Sequence, residues 1–185
     1  MLCKRSVKRH TVVQPLDPSY RLIALTQRQN AIVDVEDFEY LSKWNWQARW
    51  DKRVKSFYAC RKGPRIVGEK RKTIYMHRQI LRSKTSRETD HWNHDTLDNR
   101  KRNLRKCSTS NNRMNCRLRS DNTSGFKGVS WNKALEKWTV FIAANGKHKN
   151  IGSFDNLIQA AKVYDAKAKE LHGEFAYLNF PVHRP

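Results

Sequence analysis

Acidic residues are scarce in this chain of 185 residues: 17 Asp and Glu stand against 38 Lys and Arg, for a net charge of +21. Such an excess speaks about partners, because a polyanion attracts it and releases counterions on binding. Cysteine is scarce too. The four residues Cys3, Cys60, Cys107 and Cys116 contain no C-x-x-C pair, which removes the strong zinc-ribbon spacing and leaves reduced, mostly buried thiols as the reading. No structural zinc is expected. No apolar run approaches the ~20 residues of a membrane helix, and the segment Met1–His10 lacks the apolar region of a signal peptide. The expectation is a cytoplasmic protein that is not secreted and has no membrane partner.

What is present argues for folded cores rather than a disordered basic tail: hydrophobic residues make up 38% and Trp occurs 6 times. The length allows one domain or two small ones. Arginine is missing from residues 125–181, which carry eight Lys against five acids, whereas residues 1–124 carry 29 Lys and Arg against 12 acids. The two parts differ in kind.

Arg21–Leu25 and Ala31–Val33 read as strands around the polar turn Thr26–Asn30, and Asp34 as the cap of a short helix over Val35–Ser42. Trp44, Trp46, Ala48 and Trp50 alternate with polar residues, the period of a half-buried strand. Ser56–Cys60 is its hairpin partner. A basic loop over Arg61–Lys72 leads to a strand at Thr73–Met76 and a helix around His77–Leu81. The polar stretch 118–124 reads as a linker. Beyond it Phe126–Ser130, Lys137–Ala143 and Lys147–Phe154 read as three strands, with Asn145-Gly146 as a hairpin turn. Asp155 then caps a helix whose Leu157, Ala161, Tyr164, Ala168 and Leu171 form one stripe, stopped at Gly173.

The densest chemistry lies in Thr89–Asn115, T-D-H-W-N-H-D-T-L-D-N-R-K-R-N-L-R-K-C-S-T-S-N-N-R-M-N. Asp90 offers a hard anionic oxygen suited to Mg²⁺ or Mn²⁺, and Asn112 a neutral carbonyl oxygen. So few protein ligands fit Mg²⁺, which keeps waters and takes phosphate oxygens for the rest. His91, with an ordinary pKa of ~6.5, accepts a proton from water at neutral pH. Adjacent strand residues point to opposite faces, so a turn or bulge is expected at Asp90-His91. Residues 98–120 hold eight Lys and Arg against Asp98 alone, a phosphate track in which Arg100, Arg102, Arg105 and Arg113 are the candidate contacts.

This stretch, with N-R-x-x-N-L-R (99–105) and M-H-R (76–78) in register, resembles the HNH (ββα-metal) nucleases, in particular the homing endonucleases of that group. The resemblance implies Asp90 and Asn112 as metal ligands, His91 as general base, and Asn103 as a structural residue pinning the loop between the strands. Register with the family favours Asn112 over Asn111. His77 either orients the site or packs under it. His94 stands where the family has Gly, so it is read as a turn residue at φ > 0, with phosphate contact or a second base as alternatives.

The second part carries F-K-G-V (126–129), K-W-T-V-F-I (137–142), G-S-F (152–154), A-A-K-V-Y-D (160–165) and N-F-P (179–181). These resemble the plant ethylene-response-factor (Apetala-two) DNA-binding domain. The resemblance implies DNA contacts at Lys127, Ser130, Trp131, Lys133, Lys137 and Trp138, although Trp138 suits a core position equally. Lys127 and Ser130 stand where that family has Arg, so bidentate guanine reading is lost there.

The expected fold is α+β. An HNH nuclease domain with an additional small sheet spans 1–117, its ββα-metal core about 76–117. A linker covers 118–124, and a three-stranded antiparallel sheet packed on one helix covers 125–181. The expected function is a metal-dependent endonuclease of homing type acting on double-stranded DNA, with Mg²⁺ or Mn²⁺ and no small-molecule cofactor. Proteins of this kind imply a phage-infected or bacterial host cell. The rivals are a non-catalytic DNA-binding regulator and an RNA-binding or ribosome-associated basic protein.

Overall fold

The apolar runs near the start become a hairpin. In the computed structural model, which describes residues 9–83, 88–144 and 146–181, β1 (Tyr20–Ala24) pairs antiparallel with β2 (Asn30–Asp34), from Tyr20↔Asp34 to Ala24↔Asn30. Alternation sends Ile23, Ala31 and Val33 inward, where with Leu25, Leu41, Trp46, Ala48, Ala59 and Met76 they form one core. The helix α1 (Val35–Ser42) contributes Leu41 to it. Asp34 holds the N-cap position without capping: its carboxylate accepts instead from the backbone N–H of Lys101 at 2.7 Å. That bond ties the loop of the candidate site to the first hairpin.

The Trp alternation is only half a strand. β3 begins at Gln47 and runs to Asp51, so Trp44 and Trp46 precede it. Trp46 is fully buried and its indole N–H donates to the Leu41 carbonyl at 2.8 Å. A buried Trp whose polar atom is satisfied by the end of the preceding helix overrides the local period. β3 pairs with β4 (Ser56–Lys62), which pairs with the short β5 (Thr73–Tyr75). The helix α2 (Met76–Ile80) comes immediately after β5 and buries Met76 and His77. β6 (Glu88–His91) and β7 (Leu104–Cys107) form the last hairpin of this unit.

Contacts within the chain divide it into two compact units, Met1–Cys107 and Ser108–Pro185. The division falls ahead of the linker expected at 118–124. Its cause is visible inside the second unit: the Lys127 ammonium donates to the carbonyls of Met114 and Cys116, each at 2.7 Å. It thereby fastens the end of α3 (Thr109–Met114) to the segment that enters the sheet. Part of the expected linker is itself structured, with the Ser124 hydroxyl donating to the Val129 carbonyl at 2.7 Å and the Asn122 amide oxygen accepting from Gly125 N–H at 2.7 Å.

The rest of the second unit is a sheet in the order β10-β9-β8, made of β8 (Val129–Asn132), β9 (Lys137–Ala144) and β10 (Lys147–Phe154), with α4 (Leu157–His172) across one face. Ala161, Tyr164 and Ala168 are buried against Val129, Val140 and Ile142, with Leu157 and Leu171 at the margins. The cap of α4 is Asn156, one residue later than expected; its side chain accepts from Gln159 N–H. Gly173 ends the helix at φ 54°. Close approach fixes Gly128: at φ 74°, an added Cβ would lie 2.1 Å from the Tyr164 ring. Cys60 and Cys107 are buried free thiols and Cys116 is exposed. Cys3 and Asn145 lie outside the described residues.

Candidate active site

The site is built on the β6–β7 hairpin and its long connection, residues 92–103. The register runs without interruption from Glu88↔Cys107 to His91↔Leu104, so the bulge expected at Asp90-His91 is absent and the turn starts only after His91. Regular alternation therefore sends the two side chains to opposite faces. Asp90 lies across from Arg105 and forms an ion pair with it, both side chains being largely buried. His91 faces the second sheet.

Three turns of hydrogen bonding hold the connection. His94, at φ 61°, donates its backbone N–H to the His91 carbonyl at 2.9 Å; the position where the HNH enzymes have Gly indeed takes a left-handed conformation here. The Asn103 amide oxygen accepts from Asn93 N–H at 2.9 Å and its amide nitrogen donates to the Asp98 carbonyl at 2.8 Å, so Asn103 bridges both ends of the loop from a buried position. Asp98, 2% exposed, takes both Nε and Nη2 of Arg100 at 2.8 and 2.7 Å, and the Asn93 amide at 3.1 Å. Burial pushes the Asp98 carboxyl upward, but the Arg100 hydrogen bonds and charge outweigh it and hold it below the usual range. The loop is in turn fixed to the hairpins beneath: Ile32 N–H donates to Leu97 O, Asn99 N–H to Ile32 O, and the Thr96 hydroxyl to Phe57 O.

His91 sits in a box of rings. Its centroid is 5.1 Å from His77, which meets it edge-on at 87°, and 6.0 Å from Tyr58; His77 stacks on Tyr75 at 5.5 Å. Burial depresses both imidazoles, His77 well below its ordinary value and His91 down to about 4, the latter against upward pulls from the Asn99 side chain and from Asp90, Asp95 and Asp98. His91 is therefore neutral at neutral pH. Among the described residues its Nε2 is buried with no hydrogen-bond partner.

Asn112 stands on α3, whose N-cap Ser108 accepts from Asn111 N–H at 3.1 Å. That helix belongs to the second unit, whereas Asp90, His91, Asn103 and His77 share the first. Among the described residues no three His, Cys, Asp or Glu side chains gather as a metal cluster. A carboxylate with an amide oxygen is a donor set for a hard, water-keeping cation rather than for zinc.

The expected phosphate contacts divide. Arg100 is held on Asp98 and Arg105 on Asp90, while Arg102 and Arg113 are exposed. In the second unit Lys127 points inward, its ammonium over the Tyr177 ring at 4.8 Å and pushed down to about 8 by burial. Trp131 and Trp138 form a cross-strand pair, edge to face at 5.0 Å, and Trp138 packs against the core on the helix side. Ser130 and Lys137 alternate to the other face, Lys137 near Asp155 at 3.3 Å, and Lys133 is exposed in the β8–β9 turn. Asp98, Tyr58 and Tyr75 were not singled out from the sequence; the only signal for Asp98 was the density of Asn and Asp in the loop.

No family model and no solved structure matches the sequence. The chain is 39% identical over 87 residues to protein 3.8 of Escherichia phage T7, a match covering 47% of this chain and 71% of the relative. It is 27% identical over 154 residues to a protein of Acanthamoeba polyphaga mimivirus named as an uncharacterized HNH endonuclease, covering 80% of this chain and 74% of that one. No helix among the described residues is long and apolar enough to cross a membrane.

Proposed function

The chain belongs to the family of phage T7 protein 3.8, and from that starting point we propose that it is a metal-dependent DNA endonuclease of the homing type. The observation that carries the reading is the buried His91 ring: its Nε2 has no hydrogen-bond partner among the described residues, and burial holds its pKa down to about 4, so the ring is neutral and able to accept a proton. A polar atom left in that condition costs free energy unless a ligand uses it. His91 accepts the proton of a water whose oxygen attacks phosphorus, and the bond from phosphorus to the 3′ oxygen breaks. Asp90 and Asn112 would hold Mg²⁺ or Mn²⁺, which supplies positive charge to the departing 3′ oxygen. Asn103 and the Asp98–Arg100 pair keep the connecting loop in one shape, so the ring is presented without reorganisation.

The second unit is read as a DNA-binding module of the ethylene-response-factor type. Its three-stranded sheet on one helix supports this, as do Ser130 and Lys137 on the face away from α4. The rival reading, a non-catalytic DNA-binding regulator, draws on the regular strand that turns Asp90 and His91 apart and on the Asp90–Arg105 pair. A supercoiled-plasmid assay separates them. Cleavage that requires Mg²⁺, stops with chelator and is lost in His91→Ala supports the nuclease; duplex binding with no cleavage under any divalent cation supports the regulator.

A further inference from the structure

Arg100 and Arg105, which follow the Asp90-His91 pair on the connecting loop and on β7, are committed to buried carboxylates. The substrate backbone must then meet other positive charge near His91. The sheet against which His91 packs supplies it. Ala48 and Ala59 turn one face of β3–β4–β5 into the core, so the register places Arg49, Tyr58, Cys60, Lys62, Thr73 and Tyr75 on the other. This is the face that carries the ring box. Arg49 Nη1 donates to the Tyr75 hydroxyl at 3.1 Å, and the Tyr75 ring stacks on His77, which meets His91 edge-on. Arg49 pairs across the strands with Tyr58, the second ring against His91.

Resting on the nuclease reading, we propose that this face is a cradle for one strand of the DNA substrate, with Arg49 and Lys62 each holding a backbone phosphate. Both side chains are exposed, and among the described residues neither forms an ion pair. Lys62 Nζ reaches only the Thr73 hydroxyl, at 3.4 Å. Burial raises the Cys60 thiol, and both cations, on the same face by register, pull it back down. The acid on this face, Asp51, turns into the β3–β4 turn and accepts from Arg53 and Val54 N–H at 2.9 and 3.4 Å. Tyr58, opposite Arg49, and Lys62 are four residues apart on β4, about 13 Å at ~3.3 Å per residue. That matches about four base-pair steps of rise along a duplex axis at ~3.4 Å each. An Arg fork backed by a tyrosine hydroxyl suits two phosphate oxygens, and a Lys point charge suits one. Neither reads a base, so the cradle serves position and affinity rather than sequence.

The test is duplex binding of the full chain without divalent cation, by fluorescence anisotropy across a KCl series. Arg49→Ala/Lys62→Ala is expected to flatten the slope of log affinity against log salt by about two units, and to weaken binding at ~0.1 M salt by about eightfold per contact, from ~0.9 counterion released per phosphate. Arg49→Lys/Lys62→Arg keeps the slope. Arg28→Ala/Lys43→Ala removes two equally exposed cations from other elements and also keeps it. In cleavage assays the loss falls on KM more than on kcat. A wild-type slope in the alanine pair, or equal flattening in the Arg28/Lys43 control, overturns the proposal. If the alanine pair melts early, Arg49→Gln/Lys62→Gln carries the same comparison. A wild type that binds duplex but never cuts it defeats the nuclease reading and leaves the slope result to judge the cradle on its own.

Discussion

The two units hold themselves together by opposite means. The first encloses its functional loop with polar groups: Asp98, Asn99 and Asn103 are at most 3% exposed, with Asp90, His91 and His77 close behind. The second is an apolar sandwich in which Ala160, Ala161 and Ala168 let α4 lie close to Val140 and Ile142. Hydrophobic packing is non-directional and tolerates volume-conserving change. A buried polar cluster is directional: with every partner present it selects one geometry, and with one removed it leaves the others unsatisfied. On the proposed reading, a loop that presents a general base needs the directional polar order of the first unit, while a module that needs only a stable sheet face is served by the apolar packing of the second.

The sharpest break of that comparison is catalytic. His91→Ala and Asp90→Ala are each expected to lower cleavage by at least ~10²-fold, the lower end of what removing a general base costs, while leaving duplex binding within a fewfold of wild type. Chelation of the divalent cation should do the same to the unmodified protein. Folded His91→Ala protein that still cuts at the wild-type rate would dismiss the assignment. Next comes the polar knot. Asp98→Ala strands Arg100 and the Asn93 amide in a buried setting, and breaking such a pair by removing one partner typically costs ~3–5 kcal/mol. Urea melts should show that loss in the first unit. In the second unit the corresponding weak point is steric rather than polar: Gly128→Ala brings a Cβ onto the Tyr164 ring at a positive φ, and a loss of at least ~3 kcal/mol is expected from overpacking and backbone strain together. Ile142→Val, a volume trim in the same core, should cost only ~0.5–1.5 kcal/mol.

Much of this was legible in the residues. The bounds of α1, the stripe on α4 and the positive φ at His94 reflect local rules that tertiary contacts do not overturn. What stayed hidden was partner choice. A run of eight basic side chains at 98–120 reads as one track, but Asp98 and Asp90 each capture an Arg from it, and nothing in sequence spacing announces that capture. Lys127 is the same lesson: an exposed base by composition, it is half-buried, held by two carbonyls and a tyrosine ring. Trp44 and Trp46 keep the strand period by spacing alone, since the chain between α1 and β3 is neither helix nor strand. The regular strand through Asp90-His91 was missed for a different reason, since the expectation of a bulge assumed that both side chains face one metal.

Lys127 also gives the two units different responses to pH. Burial lowers its folded-state pKa from 10.5 to about 8, so the unfolded chain binds the extra proton between those values and stability rises with pH across that window. Below pH ~8 the full cost of burying the ammonium is present in the folded state. The gain from pH 8 to 10.5 relative to Lys127→Met, which has no such titration, should not exceed ~3.5 kcal/mol at ~1.4 kcal/mol per unit, and it should appear in unfolding of the second unit. A wild-type-minus-variant difference that is flat over this range would mean that the two carbonyls and the Tyr177 ring stabilise the ammonium as fully as water does.

The smallest expected effect concerns the arginines of the connecting loop, and it turns the contrast between committed and exposed side chains into numbers. Arg100, gripped by both oxygens of Asp98, has its fork occupied and its charge neutralised by a buried carboxylate; Arg102, two residues on, is exposed. If each cation counts toward DNA affinity only when its charge is available to a phosphate, Arg102→Ala should flatten the salt slope by about one unit, from ~0.9 per phosphate contact. It should leave thermal stability within ~0.5 kcal/mol, as an ordinary surface change does. Arg100→Ala should do the reverse, leaving the slope in place while destabilising the first unit through the stranded Asp98. Equal slopes for the two variants would mean that DNA competes successfully with Asp98 for Arg100. The loop would then open on binding, and the polar order that distinguishes the first unit would belong to the DNA-free protein alone.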